Sequence, residues 1–526
     1  MIQMTVGQIA DAVGGRVQGA MTDSGAGAVA PQTPAPQTSV VGPVVIDSRK
    51  VTPGSLFAAF PGEHVDGADF AAAAESSGAA AILAQKEIPG LSVPVIVVDD
   101  VQGALGALAQ HSLAGVREVS PDLRVLAVTG SQGKTTTKDI LAQLVSAGSD
   151  GHGGTTIAPP GSFNNEIGLP LTVLNISPDT KYAVLEMGAD HPGNIADLTT
   201  IAPPNVGGVL TVGTAHLETF GSRDGIAKAK SEMVDGVVPG GAAVLNLDDH
   251  RVAGMADKAR DRGLNVVMFG RSEGADVQAS DVHLDPLGRA SFTLRLKGSA
   301  VEASENARDL EYPVQLRILG EHHITNALAA ASGALLVGIP PETVAHRLSE
   351  VQILSPHRMA ITNRPDGIMV IDDAYNANPE SMRAALHTLS QVATAAPRRS
   401  VAIIGEMREL GESGVDAHGE IGQLAAQLGI NQLIVVGNGA KAAYTAADAA
   451  YTPGQAVFFP DLAALRTELP QLLQPGDVVL VKASNGSKLW ELGDELAANA
   501  YSPIGTSDQE TQPAPNALTE KAVAQL

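Results

Sequence analysis

The stretch LRVLAVTGSQGKTTT, residues 123–137, constrains the fold more strongly than any other part of the 526-residue chain. Val125, Leu126 and Val128 are typical of a buried parallel strand. Apolar residues from Ile140 onward recur with the spacing of one helix face. A glycine-rich turn between such a strand and helix brings backbone N–H groups and the positive helix end to one point. The sequence therefore predicts an α/β sheet whose turn binds an anion, such as the phosphates of a nucleotide.

Two side chains of this turn suit phosphate chemistry. Lys134 can reach β- and γ-phosphate oxygens, and the Thr135 hydroxyl can ligate Mg²⁺. The match with the full P-loop pattern is imperfect, because Val128 occupies the place of the first glycine. Turns with one glycine and a lysine are also common without such a function. The prediction of a phosphate-binding turn therefore depends on the strand before the turn and the helix after it.

The charge and cysteine content exclude several classes of function. The chain has 34 basic and 57 acidic residues and a formal net charge of −23. Binding to nucleic acid or anionic lipid requires a basic face, so neither is expected. The absence of cysteine excludes disulfides and thiol chemistry and fits a reducing cytosol. With no signal-peptide start and no apolar run near about 18 residues, we expect a cytoplasmic protein without membrane insertion.

The length predicts three to four domains at about 150 residues each, and the patterns divide the chain into three. Residues 1–119 alternate short strands with helices, and residues 21–40, rich in Ala, Pro and Ser, are interpreted as a flexible insertion. Residues 120–353 combine the P-loop parallel sheet with appended antiparallel strands of period two. Residues 354–503 predict a doubly wound α/β domain, and residues 504–526 a disordered tail.

Two polar residues follow predicted parallel strands at the edge where open α/β sheets bind ligands. Glu186 closes the predicted strand in YAVLEMG, and His216 follows the strand in GGVLTVG. Because Mg²⁺ takes few ligands from one loop, we predict that both serve metal ions. Taken singly, Glu186 could equally be a solvated carboxylate at a strand end, and His216 could equally be an imidazole satisfied by local hydrogen bonds. Lys228 and Lys230 lie about 200° apart on a predicted helix, so only one can face a site.

Several motifs occur in an order known from the Mur ligase family, and the chain resembles that family over about residues 44–495. The motifs are TGSQGKTTT, EMGA, AHLETFGS, KAKSE, GEHHITNALAA, SPHR and DDAYNANP. Members are ATP-dependent ligases that form the amide bonds of the peptidoglycan stem peptide. The resemblance implies three α/β domains, ATP with two Mg²⁺ ions, and reaction through an acyl phosphate.

Three further regions resemble members that join D-alanyl-D-alanine to UDP-N-acetylmuramoyl-tripeptide, so these two partners are implied. The regions are residues 47–70, residues 161–172, and residues 372–382 with 405–413. An Asp-Asn-Pro-Arg-type motif, usual in members that add the third stem residue, is absent from the sequence. Another member of the family and a nucleotide-dependent scaffold without turnover remain alternatives. We expect a monomer.

The resemblance also implies roles for single residues. Those for ATP are Gly130, Ser131, Gln132, Gly133, Lys134, Thr135, Thr136, Asn326, Arg358 and Asp373. Those for magnesium are Thr135, Glu186, His216 and Lys230, the last as a carbamate, and Lys134, Glu186, His216 and Lys230 form the catalytic set. Those for the substrates are Asp47, Ser48, Arg49, Asn164, Asn165, Asn376 and Asn378.

Two segments depart from the family pattern. His322-His323 replaces the usual His-Asn, which puts one nucleotide contact in doubt. The segment KASNGSKLWEL, residues 482–492, departs from a glycine-rich form, and no role is assigned to Lys482.

Overall fold

The computed structural model describes residues 2–18, 35–62, 65–214, 217–298 and 308–501. Most of the predicted insertion, the whole predicted tail and His216 lie outside these ranges. Within them, no helix combines the length and the apolar character that crossing a membrane requires.

The N-terminal region forms a five-stranded sheet in the order β2-β7-β6-β5-β4, parallel except for β2. The region's seven strands, of which β1 and β3 form a separate two-stranded sheet, are β1 Met4–Thr5, β2 Arg16–Gln18, β3 Ser39–Val40, β4 Val44–Val45, β5 Leu56–Ala58, β6 Ala81–Ala84 and β7 Val95–Val97. Its helices are α1 Val6–Val13, α2 Ala71–Ser76 and α3 Val101–Val119. The prediction of a flexible insertion through residue 40 is wrong at its end, because β3 pairs with β1.

The central region forms a nine-stranded sheet in the order β16-β15-β14-β13-β12-β11-β8-β10-β9. Its strands are β8 Arg124–Thr129, β9 Thr156–Ile157, β10 Tyr182–Glu186, β11 Val206–Val209, β12 Ala242–Asn246, β13 Asn265–Gly270, β14 Val277–Leu284, β15 Arg289–Leu296 and β16 Leu310–Leu319. Its helices are α4 Lys134–Val145, α5 Gly168–Val173, α6 Asn194–Ile201, α7 Leu217–Phe220, α8 Arg223–Lys230, α9 Glu232–Gly236, α10 His250–Ala253, α11 Ala256–Asp261, α12 His323–Leu336 and α13 Pro341–Leu348. The pairings of β14 with β15 and of β15 with β16 are antiparallel, which confirms the appended antiparallel strands.

The C-terminal region forms a six-stranded sheet in the order β17-β18-β22-β19-β20-β21, parallel except for β17. Its strands are β17 Ala360–Asn363, β18 Met369–Asp372, β19 Ser400–Ile404, β20 Gln432–Val436, β21 Ala456–Phe459 and β22 Val478–Lys482. Its helices are α14 Pro379–Ala395, α15 Gly414–Gln427, α16 Lys441–Asp448, α17 Leu462–Leu472 and α18 Trp490–Ala497. Apolar cores on both faces of this sheet confirm the doubly wound arrangement.

The cores of the first two regions are continuous. Leu105 and Leu108 on α3 belong to the same buried apolar cluster as Leu169 and Val173 on α5. The stripe of α4 that begins at Ile140 packs with α12 on the other face of the central sheet. These contacts hold the turn before α4 rigidly at the carboxyl edge of β8.

Candidate active site

The turn between β8 and α4 has the geometry that the sequence predicts. Gly133 precedes α4 with a φ of 81°, in the left-handed region that favours glycine. A Cβ atom at Gly133 would also clash with Oδ1 of Asn326 on α12. Ser131 fixes the turn to the end of β11, because its N–H donates to the Thr211 oxygen at 2.9 Å and its Oγ accepts from Gly213 N–H at 2.9 Å.

Side chains from two regions meet at the start of α4. Lys134 Nζ donates to the Gly130 carbonyl at 2.9 Å, and Thr135 Oγ1 and Ser162 Oγ lie 2.6 Å apart. Arg358, which precedes β17, donates from Nη2 to both hydroxyls at 3.1 Å. Its guanidinium lies 4.3 Å from the ring centre of Tyr375. The C-terminal region thus contacts the turn directly.

The loop that carries Arg358 is fixed by two aspartates at the end of β18. His357 and Met359 both have left-handed backbones, with φ of 56° and 55°. The imidazole Nδ1 of His357 lies 2.6 Å from Asp372 Oδ2, and Met359 N–H donates to Asp373 Oδ1 at 3.2 Å. Two uncommon conformations, each held by a carboxylate, aim Arg358 at the turn.

Glu186, the last residue of β10, lies buried beside the turn with 1% of its surface exposed. Its Oε1 accepts from Asn164 Nδ2 at 2.6 Å. Its Oε2 is buried and has no hydrogen-bond partner in the described part of the chain. A buried, unpaired carboxylate oxygen is costly unless a cation neutralises it. Together with the Thr135 hydroxyl, this oxygen forms a donor set that fits Mg²⁺.

The two lysines of α8 differ completely in their surroundings. Lys230 is 5% exposed and has no hydrogen-bond or ion-pair partner among the described residues, whereas Lys228 is exposed. Burial, reinforced by the nearby charge of Lys134, holds the pKa of Lys230 well below its usual range. Burial also lowers the pKa of Lys134, and Glu186 partly opposes this shift. Lys230 therefore faces the interior and Lys228 the solvent.

A cavity of about 590 Å³ lies between the central and C-terminal regions. The predicted residues that line it are Ser131, Gln132, Gly133, Lys134, Thr135, Thr136, Asn164, Asn165, Glu186, Asn326, Arg358, Asp373, Asn376 and Asn378. Gly130 and Lys230 are buried and do not line this cavity.

Asp47, Ser48 and Arg49 do not line the cavity; they lie in the N-terminal region. Asp47 accepts from the backbone N–H and the guanidinium of Arg49, at 3.0 Å and 2.8 Å. These hydrogen bonds lower the pKa of Asp47 to about 2. The segment therefore presents a fixed carboxylate and an exposed guanidinium to the solvent.

The asparagines that were predicted to bind substrate also shape the local backbone. Asn165 Oδ1 accepts from Gly168 N–H at 2.9 Å, and Asn378 Oδ1 caps α14 by accepting from Ser381 N–H at 2.8 Å. Asn376 Oδ1 accepts from Ala377 N–H at 2.8 Å. Their amide nitrogens donate to no group in the described ranges, so a ligand would be met by N–H donors.

Lys482 is the main residue that the sequence left without a role. It ends β22, is 2% exposed and lines the cavity. Its Nζ lies 2.5 Å from Asp373 Oδ2 and donates to the Asn376 carbonyl at 2.9 Å. The strand-end position that drew attention to Glu186 was also present here. Ser162, too, was missed.

The connection between the regions is anchored to α4. Asp139 on α4 pairs with Lys138 at 2.7 Å and accepts from Ser355 Oγ at 2.6 Å. Lys138 in turn donates to the Pro159 carbonyl at 2.6 Å. One buried pair thus fixes both the segment before Ser162 and the start of the loop that leads to Arg358.

The structure defines an α/β protein of three regions with a polar cavity between the last two. The chain belongs to the Mur ligase family. The model of the Mur ligase middle domain matches residues 128–334, and the model of the Mur ligase glutamate ligase domain matches residues 357–485. The model of the Mur ligase family catalytic domain matches residues 41–112. The resemblance seen in the motifs is thereby confirmed.

Individual relatives are similar over nearly their whole length. The UDP-N-acetylmuramoyl-tripeptide–D-alanyl-D-alanine ligase of Mycobacterium tuberculosis strain H37Rv is 43% identical, over 95% of this chain and 98% of its own. The crystal structure of MurF from Acinetobacter baumannii has a TM-score of 0.77 and 31% identity, covering 94% of this chain and 99% of its own. MurF from Thermotoga maritima, solved in complex with ADP, has a TM-score of 0.69 and 28% identity, covering 87% and 98%.

Proposed function

We propose that this protein joins D-alanyl-D-alanine to UDP-N-acetylmuramoyl-tripeptide at the expense of ATP, in the cytoplasm, as the last amide-forming step of peptidoglycan precursor synthesis. The observation that carries the proposal is the end-to-end likeness, at 43% identity, to ligases named for this reaction. The cavity supports it, because a phosphate-type turn and the DDAYNANP loop face each other across it.

The first step activates the substrate carboxylate. Its oxygen attacks the γ-phosphorus of ATP, the bond to the β–γ bridging oxygen breaks, and ADP leaves. The backbone N–H groups of the turn and the Lys134 ammonium stabilise the charge that spreads over the transferring group. Arg358, held against Thr135 and Ser162, adds a second cation from the C-terminal region.

Two Mg²⁺ ions would neutralise phosphate charge when bound. The residues that would hold them are Thr135, Glu186, His216 and Lys230 as a carbamate. The first site is supported by Oε2 of Glu186, which is buried and has no hydrogen-bond partner in the described ranges. The burial of Lys230 without a partner among the described residues supports its modification, because a neutral amine reacts with CO₂ and the resulting anion would offset the charge of Lys134.

The second step forms the amide bond. The dipeptide amine attacks the acyl carbon, the nitrogen loses one proton, the bond from that carbon to the phosphate oxygen breaks, and inorganic phosphate leaves. We place the dipeptide near Asn376 and Asn378, which line the cavity. Closure of the C-terminal region over the central one keeps water from the acyl phosphate.

The remaining predicted roles divide by region. Residues 1–119 form the UDP-substrate domain, with Asp47, Ser48 and Arg49 at the uridine nucleotide. Residues 120–353 bind ATP, with Asn164 and Asn165 toward the muramyl peptide. Residues 354–503 bring the dipeptide. Because the central and C-terminal regions of one chain supply both walls of the cavity, we propose that the monomer is active.

The test is phosphate release with mass-spectrometric detection of the product. Purified protein, ATP, Mg²⁺, UDP-muramyl tripeptide and D-alanyl-D-alanine should give the pentapeptide, and omission of either substrate should stop ADP formation. Amide formation only with a single amino acid, with a UDP-muramyl dipeptide or with folate would identify another member of the family. ATP binding without turnover would identify a scaffold.

A further inference from the structure

His357 immediately precedes Arg358 and lies between two aspartates, neither of which the proposed mechanism uses. The His357 side chain is 12% exposed. Its Nδ1 lies 2.6 Å from Oδ2 of Asp372 at the end of β18, and its Nε2 lies 3.9 Å from Oδ1 of Asp494 on α18. The centre of the imidazole ring also lies 5.8 Å from that of Trp490 on the same helix. Groups on two elements of the C-terminal region therefore fix the orientation of this ring.

Asp372 is itself held in place, so it gives the imidazole a rigid partner. Its side chain is 9% exposed, and its Oδ1 accepts from Ala374 N–H at 3.1 Å. A Cβ atom at Gly493 on α18 would clash with this carboxylate, so the helix backbone packs directly against it. A buried carboxylate costs free energy unless hydrogen bonds satisfy it. The contact of Asp372 with His357 therefore ties the loop before β17 to the sheet.

The backbone at His357 needs such a contact to keep its conformation. Its φ of 56° lies in the left-handed region, which a residue with a Cβ atom rarely adopts unless its surroundings hold it there. The His357 carbonyl accepts from Tyr375 N–H at 3.3 Å, and the ring centre of Tyr375 lies 4.3 Å from the Arg358 guanidinium. The conformation of His357 therefore sets the direction in which the next side chain leaves the loop.

Arg358 depends on this backbone direction for the position of its charge. Its Nη2 donates to Thr135 Oγ1 and Ser162 Oγ at 3.1 Å, whereas its Nε is buried and has no hydrogen-bond partner in the described part of the chain. An arginine side chain has several rotatable bonds, so hydrogen bonds at its tip alone leave much rotamer freedom. A fixed backbone removes part of that freedom and holds the guanidinium at the phosphate turn.

We propose that His357 is a positioning residue for phosphoryl transfer, which holds Arg358 at the place where the terminal phosphate of ATP binds. The inference rests on the proposed function, in which Arg358 neutralises charge on the transferring group. His357 is not among the residues that line the cavity, so it acts through Arg358 and not through a contact with substrate. A misplaced cation slows the chemical step more than it weakens ATP binding, since the charge to be neutralised grows in the transition state.

The test is a double-mutant cycle of His357→Gly and Arg358→Met, read by phosphate release from radiolabelled ATP with both substrates present. Glycine adopts the left-handed conformation without strain, so His357→Gly removes the imidazole contacts alone. We expect this variant to lower kcat about tenfold and to leave KM for ATP within about threefold of its value in the unaltered protein. In the Arg358→Met background the same change should alter kcat by less than about twofold, because no guanidinium remains to be positioned.

Two further variants complete the design. His357→Asn introduces a residue type that tolerates the left-handed region and keeps an N–H donor at the place of Nδ1, so it should recover most of the lost kcat. Asp281→Gly is the matched control, because Asp281 in β14 is exposed, has a φ of 51° and does not line the cavity. This change should leave ligation unaltered.

Unchanged kcat in His357→Gly, an equal loss with and without Arg358, or no recovery in His357→Asn would overturn the proposal. If His357→Gly does not fold, Asp372→Asn takes its place in the cycle with the same expected losses, because it weakens the same contact from the other side. An unaltered protein that forms no pentapeptide would refute the proposed function and this inference with it. Turnover of the unaltered protein with additive losses in the cycle would refute the positioning role alone.

Discussion

Lys228 and Lys230 lie two residues apart on α8, and burial gives them different chemistry. Lys230 has no counter-charge in the described part of the chain and lies close enough to Lys134 for their charges to interact. We expect Lys230→Ala to abolish ligation, because the carbamate anion is lost, and bicarbonate or a short-chain acid to restore part of it. Steady-state phosphate release with and without the added acid is the measurement.

Lys228→Ala is the matched control and should be nearly silent, because an exposed lysine on a helix contributes little. Normal turnover of Lys230→Ala would end the carbamate proposal. If turnover is lost and no small acid restores it, Lys230 does not act as an anion that a small acid can replace, and it has another role.

The pair of Lys482 and Asp373 allows stability to be separated from activity. The side chains are 3% and 14% exposed and 2.5 Å apart. Lys482→Met leaves a carboxylate buried without its cation, which should lower the free energy of unfolding by about 3 kcal/mol. The double variant with Asp373→Asn should regain most of that stability but not activity, since Asp373 is the proposed nucleotide contact. Urea unfolding and phosphate release report the two effects separately.

Single site residues were predictable where a sequence rule led to them. Glu186 was found because it follows an apolar strand at the edge where ligands bind. Lys482 has the same position, but its partner lies 109 residues away, so the contact could not be read from spacing. The contact of Asn326 Nδ2 with His323 Nδ1 depends on the orientation of both side chains, which only the folded chain sets.

Among the elements, the turn before α4 shows how a glycine with a left-handed backbone conformation affects stability and ligand binding. Gly133 and Gly193 both precede helices, with φ of 81° and 96°, but a Cβ has open space at Gly193 and clashes with Asn326 at Gly133. Both alanine variants should lose about 1 kcal/mol of stability from backbone strain. Only Gly133→Ala should also weaken ADP binding, by more than about tenfold. Thermal unfolding measures the loss of stability, and calorimetry measures the loss of ADP affinity. Equal ADP affinities of the Gly133→Ala and Gly193→Ala variants would contradict this account.

The elements themselves were largely predictable because most strands are continuous apolar runs. The period of two in β15 and β16 correctly indicated antiparallel pairing. The pair of β1 and β3 was missed, since two-residue strands carry no periodic signal. The left-handed backbones at His357 and Met359 were equally hidden, because distant carboxylates hold them.

Between domains, Glu380 at the start of α14 forms a contact that can govern closure. Its carboxylate accepts from Thr214 Oγ1 at 3.0 Å and pairs with Arg223 at 3.5 Å, both in the central region. Glu380→Ala should shift the population toward open molecules by about fivefold, the worth of one charged hydrogen bond. Small-angle scattering with ADP present should show a larger radius of gyration, and ligation should slow.

Glu420→Ala serves as the control, because Glu420 forms an exposed ion pair with Arg383 inside the C-terminal region. Removal of that pair should change neither the radius of gyration nor ligation. An identical response of the two variants would mean that the contact of Glu380 does not influence closure.

The N-terminal and central regions cannot be separated, because their residues bury one another in a common apolar cluster. This cluster includes Leu105 on α3 and Leu169 on α5. The C-terminal sheet is different, since the two cores on its faces consist almost entirely of its own residues. Under the proposed function, recognition of ATP and of the UDP-linked substrate must therefore be inherited together. Under the same proposal, the C-terminal region has cores of its own, so its amine site can change in sequence without repacking the other two regions.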